Sequence, residues 1–426
     1  MKNEKTGGRI FLQIIRITGK NKLNGEVCVN GSKNAALPVL AATILCEKPC
    51  VLKNIPHISD VSNMQSLLKS TGQYSLLSNH QYQCEMASEI SHFASYDLAN
   101  RLRASFLVAG PLVARTGYAR VAYPGGCQIG ERPVDLHLKG FSKLGISVAI
   151  QNGYVELKAN KLKGNRIYLD FPSVGATENL MMAATLAHGT TMLENAAAEP
   201  EIVDLANFLN QMGADISGAG TDTIVIQGVS SLTGGEYEVI PDRIEAGTYM
   251  IAAAATGGKV KVSGVLPEHL NPLVAKLRET GTHITVGERE ILVEGKSGYK
   301  AVDIKTMPHP GFPTDLQAQF CAMLAGAKGT SIITETIFEN RFLHLPELKR
   351  LGAKITVEGR TAVIEGTNKL NGAQVRASDL RAAASLVIAG LMAEGTTTVE
   401  DNGYLLRGYS QLCENLKKLG AEIEVL

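Results

Sequence analysis

Charge of one sign is what this 426-residue chain most plainly lacks: 42 lysines and arginines face 41 aspartates and glutamates, for a net +1. No basic field exists to gather nucleic acid or an anionic membrane, so neither is expected as a partner, and any cationic site must be local. Long apolar runs are missing too, since nothing reaches the ~18 residues that a membrane span needs. Residues 1–16 mix Lys2, Lys5, Arg9 and Arg16 with a short apolar run and no small-residue cleavage site, so no secretory leader is expected. The seven cysteines (28, 46, 50, 84, 127, 321, 413) show no paired short spacing. Cys46 and Cys50 lack a second ligand pair, which argues against zinc and for a reduced, cytoplasmic protein. Gly218-Ala-Gly220 lacks a third glycine and reads as a hairpin turn. Gly257-Gly-Lys259 lacks both the upstream glycine and the following Ser or Thr of a phosphate loop. ATP and NAD are therefore not expected.

What is present is a globular composition, 45% hydrophobic and 19% charged, in a chain long enough for two or three domains. One pattern recurs six times: a leucine- and lysine-bearing helix end, a glycine, then an alternating strand. Its glycines are Gly72, Gly145, Gly213, Gly281, Gly352 and Gly420, spaced 68 to 73 residues apart. Glycine after a basic helix end is the position that takes a left-handed backbone. In phase with it run alanine-rich helices such as MAATLAHG (182–189), IAAAATG (251–257) and SLVIAGLMAEG (385–395). Helices with so little polar decoration can be buried all round. Six α/β units of about seventy residues are expected, in two lobes of three, each with its helix inside and sheets outside.

Several stretches do not look like repeat scaffolding. YPGGCQIGERPVDLH (123–137) sets Cys127 among three glycines and two prolines, five residues before Arg132. A thiol beside a guanidinium has a lowered pKa and becomes reactive. Locally, a surface turn with an incidental cysteine fits equally. GSKNAALP puts Lys33 and Asn34 at a helix start, where an anion can be held by side chain and amides together. Arg103 heads an alanine- and valine-rich segment, and an ion pair competes there with a ligand role. In PHPGFPTDLQAQ (308–319), three prolines force an extended approach, after which Thr314 or Asp315 is expected to cap a helix. Arg381 and Arg407 add cations before the last two helices. Lys33, Arg103, Arg132, Arg381 and Arg407 together could converge on a polyanionic substrate.

The stretches GSKNAALPVL, RASFLVAGPLVAR, PGGCQIGERPVDLHL, PSVGATEN, EPEIVDLANFL, PDRIEAGTY, GFPTDLQAQF, ETIFENRF and DLRAAASLVIAG resemble the UDP-N-acetylglucosamine 1-carboxyvinyltransferases of the EPSP synthase superfamily. The likeness runs in the family's order from about residue 17 to the C-terminus, and residues 1–16 look like an extension. It implies a two-lobed inside-out α/β barrel of six βαβαββ repeats, with lobes 33–240 and 1–32 plus 241–426. It implies transfer of the enolpyruvyl group of phosphoenolpyruvate to the sugar 3-hydroxyl with loss of phosphate. This is the first committed step toward the peptidoglycan wall, on which cell shape and division depend.

On matching positions, Asp315 is the implied base and Cys127 the acid, which also forms a pyruvate adduct and is the fosfomycin target. Lys33, Arg132 and Arg407 would hold phosphoenolpyruvate, with Asn34 beside them and Arg381 as a further cation. Arg103, Arg132, Pro133, Val134, Asp135, Leu136, Ser173, Val174, Gly175, Asp315 and Ile337 would hold the UDP-sugar. No cofactor or metal is implied. Glu131, beside Arg132, is expected to point to solvent. The related shikimate-phosphate transferase lacks the cysteine loop, and a silent UDP-sugar-binding paralogue would not need every polar position filled.

Overall fold

The computed structural model describes residues 12–94, 96–123, 134–367 and 369–426, without the side chains of Asn100, Arg101 and Arg103. Among these residues the repeat becomes six four-stranded sheets and 13 helices. Each sheet joins antiparallel pairs to one parallel pair; strand Thr190–Glu194, for instance, runs antiparallel to Thr223–Gln227 on one side and parallel to Arg166–Tyr168 on the other. The turn between Ser217 and Thr223 is the expected glycine hairpin, with Gly218 and Gly220 at φ +80° and +89°.

The helices divide into an inner and an outer set for a reason visible in their residues. Lys33–Ala42, Val174–Ala184, Arg243–Thr256 and Leu380–Met392 carry alanine and aliphatic residues on every side and are buried almost throughout. Outer helices such as Ser59–Ser70, Pro200–Gln211 and Asn271–Glu279 bury one face and leave polar residues on the other. All six outer helices end at the repeat glycines, whose φ angles of 81° to 107° lie in the left-handed region. A side chain there would be strained, which is why the glycine is the repeat's most regular mark.

Two separate hydrophobic cores result. One gathers residues between Ala35 and Val239. The other gathers Ile15 to Val29 with Ile244 to Ile423. The N-terminal strands Gln13–Thr18 and Asn24–Cys28 complete sheets of the second core, against Thr396–Asp401 and Lys259–Ser263. No helix among the described residues is long and apolar enough to cross a membrane.

The chain passes between the cores twice, and the two passages lie side by side. Gly31 bridges Pro241, the Ser32 amide donates to the Ile240 carbonyl at 2.7 Å, and the Asp242 amide donates to the Asn30 carbonyl at 2.8 Å. A Cβ on Gly31 would sit 1.6 Å from the Asn54 carbonyl oxygen, so only glycine allows this approach. Asp242 ties the passages to helix starts. One carboxylate oxygen caps helix Arg243–Thr256 through the amides of Ile244 (2.7 Å) and Glu245 (3.0 Å), and the other accepts from the Lys33 amide at 3.1 Å.

Candidate active site

Helix Lys33–Ala42 begins immediately after that double passage, with Ser32 accepting from the Ala35 amide as its N-cap. Lys33 is thereby set between the cores, with Asn34, half-buried, beside it. The Lys33 ammonium lies 2.8 Å from Asp60 Oδ2, and Arg407 Nε, from the other core's chain segment, lies 3.0 Å from Asp60 Oδ1. Burial pushes the Lys33 pKa down, the Asp60 charge pushes it back up, and the net shift is downward. Burial alone would raise Asp60, but Lys33 and Arg407 outweigh it and hold the carboxyl below its ordinary value.

Asp315 occupies a second arrangement of the same kind. Arg341 Nη2 lies 2.7 Å from its Oδ1 and Arg381 Nη2 lies 2.7 Å from its Oδ2. Burial opposes ionisation, yet Arg381 and Arg341, with Lys33 farther off, keep Asp315 well below the usual carboxylate range. Arg381 is fixed in turn by the Tyr409 hydroxyl at 3.2 Å, which also meets Thr248 at 2.9 Å and Gln319 at 3.3 Å.

The expected cap at 314–315 is not formed. Residues Thr314–Leu316 make a 3-10 turn capped by Pro313, without a side-chain hydrogen bond, before helix Gln317–Leu324. The Thr314 hydroxyl donates to Glu335 Oε2 at 3.0 Å instead, while Asp315 turns to its two arginines. Two guanidiniums outbid a pair of amides for a carboxylate, because each contact is charge-assisted at both ends. The other oxygen of Glu335 accepts from the Ile337 amide at 2.8 Å, so Ile337 is fastened to the turn that carries Asp315.

Val134, Asp135 and Leu136 open helix Asp135–Lys143, and Ser173 caps helix Val174–Ala184 by accepting from the Ala176 amide at 3.4 Å. The two helices pack closely because Gly140 has no side chain: a Cβ there would meet Leu180 at 2.4 Å. Gly175 lies against the first turn of the neighbouring helix, where a Cβ added to it would be 3.5 Å from the His137 ring. Arg103 opens the 3-10 helix Arg103–Val108. Cys127, Glu131, Arg132 and Pro133 lie outside the described residues.

Lys33 and Arg407 are thus brought together on Asp60, and Asp315 and Arg381 on each other. Sequence reading missed the groups that hold them: Asp60, Arg341, Asp242 and Glu335. Glu335 and Arg341 sit inside the quoted stretch ETIFENRF and Asp242 inside PDRIEAGTY, so their signal was available. Asp60 looked like an ordinary first-turn acid of helix Ser59–Ser70.

Residues 17–425 match the family defined by EPSP synthase (3-phosphoshikimate 1-carboxyvinyltransferase). The chain belongs to the EPSP synthase family. Among curated relatives, it is 55% identical over 401 residues to UDP-N-acetylglucosamine 1-carboxyvinyltransferase 1 of Caldanaerobacter subterraneus subsp. tengcongensis, covering 94% of this chain and 96% of that one. Against UDP-N-acetylglucosamine 1-carboxyvinyltransferase 2 of Clostridium tetani, identity is 52% over 411 residues, 96% of this chain and 99% of the other. The enolpyruvyl transferase NikO from Streptomyces tendae superposes with a TM-score of 0.89 at 27% identity, over 97% of this chain and 99% of its own. An EPSP synthase from Acinetobacter baumannii shares the fold, with a TM-score of 0.76 at 19% identity over 97% of this chain and all of its own (100%).

Proposed function

We propose that this enzyme transfers the enolpyruvyl group of phosphoenolpyruvate to the 3-hydroxyl of UDP-N-acetylglucosamine, releasing phosphate, as the first step of peptidoglycan synthesis in the cytoplasm. The observation that carries the reading is the meeting of Lys33 and Arg407, from opposite cores, on the single carboxylate of Asp60. Two cations sharing one anion leave a positive charge over for a phosphate or carboxylate. The lobes are taken as 33–240 and 1–32 plus 241–426, with substrates bound in the cleft between them; the two cores support that division.

In the addition step Asp315 takes the proton of the 3-hydroxyl as its oxygen bonds to C2 of phosphoenolpyruvate, and Cys127 delivers a proton to the methylene C3. Elimination then returns a proton from the new methyl group to the Cys127 thiolate, phosphate leaves with the proton held by Asp315, and the enol ether remains. Lys33, Arg132 and Arg407, with Asn34, hold phosphoenolpyruvate; Arg381 keeps Asp315 ionised and adds charge to the field. Arg103, the run Arg132 to Leu136, Ser173 to Gly175 and Ile337 hold the UDP-sugar.

The test is phosphate release from phosphoenolpyruvate with UDP-N-acetylglucosamine and, separately, with shikimate 3-phosphate. Release with the nucleotide sugar alone is the expected result. Release with shikimate 3-phosphate, or binding of the nucleotide sugar without turnover, would overturn it.

A further inference from the structure

Helices Asp135–Lys143 and Val174–Ala184 share a buried polar contact that none of the roles above uses. Asn179, fully buried, accepts from the Gly110 amide through Oδ1 at 2.7 Å and donates through Nδ2 to the Phe106 carbonyl at 2.8 Å. A backbone donor on one side and a backbone acceptor on the other fix which way the amide faces. Its Nδ2 also lies 3.1 Å from His137 Nδ1. Since Nδ2 can only donate, His137 Nδ1 must accept, and the ring's proton must sit on Nε2.

Phe106 holds the ring edge-on, with centroids 5.2 Å apart and planes at 81°. The Cε1–Nε2 edge of the imidazole lies against Gly175: a Cβ built there would be 3.5 Å from both atoms. Glycine at 175 leaves that edge without a covering side chain. Burial pushes the His137 pKa down to about 4, so the ring is neutral at neutral pH and Nε2–H is a fixed, uncharged donor.

We propose that His137 is a nucleotide-binding residue, fixed by Asn179 as the Nε2–H tautomer and donating that proton to an oxygen of the UDP moiety across the starts of the two helices. This rests on the assignment of 134–136 and 173–175 to the UDP-sugar. A neutral donor suits the place: it holds an anionic or ribose oxygen without titrating against the substrate's own charge.

The experiment compares wild type, His137→Phe and His137→Gln by calorimetric binding of UDP and of UDP-N-acetylglucosamine. Phe keeps the ring's shape and removes the donor, so both ligands should bind about tenfold more weakly, the usual scale for a hydrogen bond to a charged acceptor. Gln can present an amide N–H at similar reach and should recover part of the loss. In turnover, the defect should appear in KM for the nucleotide sugar and leave KM for phosphoenolpyruvate in place. Nitrogen NMR of the wild-type histidines, with His137 assigned by its loss in the Phe variant, should show a protonated Nε2 and a bare Nδ1. Unchanged affinity in the Phe variant, or a proton on Nδ1, overturns the proposal. Wild type that fails to bind UDP-N-acetylglucosamine at all sinks the functional reading itself, and this inference falls with it.

Discussion

Asp60 and Asp315 sit in arrangements of the same kind, one carboxylate between two cations (Lys33 and Arg407, or Arg341 and Arg381), and present opposite faces. Around Asp60 the carboxylate is buried, with 2% of its side chain exposed, while Lys33 and Arg407 keep 13% and 35%. Around Asp315 the order is reversed: Arg341 and Arg381 are buried at 4% and 6%, and the carboxylate keeps 27%. The first cluster offers cations to whatever enters, and the second offers an anion. Which partner is buried thus separates an anion receptor from a candidate base.

Breaking the second cluster should have the largest effect. Asp315→Asn removes the proposed base, and phosphate release should fall by at least about a hundredfold, the lower range for a general base. The amide also leaves Arg341 and Arg381 without their counter-ion, so a stability loss of roughly 3 kcal/mol is expected by thermal or urea unfolding. Had Asp315 been a helix cap, the amide would have replaced it at little cost. A drop in turnover below about tenfold, or roughly 1.4 kcal/mol of barrier, would leave Asp315 a structural ion-pair partner and no base.

The proposed acid comes next. Cys127→Ala should lose most activity, whereas Cys127→Asp should retain a substantial part, because a carboxylic acid can deliver a proton to carbon as a thiol can. The aspartate variant should resist fosfomycin, since a carboxylate opens an epoxide far less readily than a thiolate. Its activity should fall as pH rises, because only the protonated form works. Rates with and without fosfomycin, across pH, decide this; wild-type turnover in the alanine variant would remove Cys127 from the mechanism.

Asp60→Asn tests the first cluster. The Lys33 pKa is held up chiefly by the Asp60 charge, against burial and the charges of Arg381 and Arg407. Without that carboxylate it should fall further. Lys33 binds anions only when protonated, so activity is lost as pH rises through its pKa, and in the variant that loss should come at lower pH. KM for phosphoenolpyruvate should rise about tenfold near neutral pH, the scale of one charge-assisted contact, with KM for the nucleotide sugar little altered. A pH profile superposing on wild type would show that Asp60 does not govern Lys33.

The contrast between the clusters also shows what a sequence can carry. The repeat was legible because a left-handed backbone at Gly72 or Gly420 demands glycine locally, and buried inner helices demand alanine locally. Lys33, Arg381, Arg407 and Asp315 were legible as residues out of keeping with scaffold. Their partners were not, since Asp60 meets Arg407 across 347 positions of chain. Nothing local to SDVSN distinguishes a first-turn acid from a carboxylate that joins two cores. Asp315 was misplaced as a cap for the same reason: its competing partners, Arg341 and Arg381, are 26 and 66 residues away.

The smallest effect should come from Tyr409→Phe, which loosens the second cluster without removing a charge. Thr248 gives its hydroxyl proton to the Ile244 carbonyl at 2.8 Å, so in the 2.9 Å contact between the two hydroxyls Tyr409 must donate. Its oxygen then accepts from Arg381 Nη1 at 3.2 Å and Gln319 Nε2 at 3.3 Å. Phe fills the same volume and leaves those donors facing a ring edge. Gln319 still has the Asp315 carbonyl at 3.0 Å and Thr248 at 3.2 Å, so the cost falls mainly on Arg381 Nη1. One buried donor left unpaired costs about 1–3 kcal/mol, which unfolding should show. Arg381 keeps its Nη2 contact with Asp315, so turnover should fall only a few-fold, with both KM values nearly in place. A loss as large as that of Asp315→Asn would mean that the hydroxyl itself takes part in proton transfer, and that the second cluster is not merely held by Tyr409.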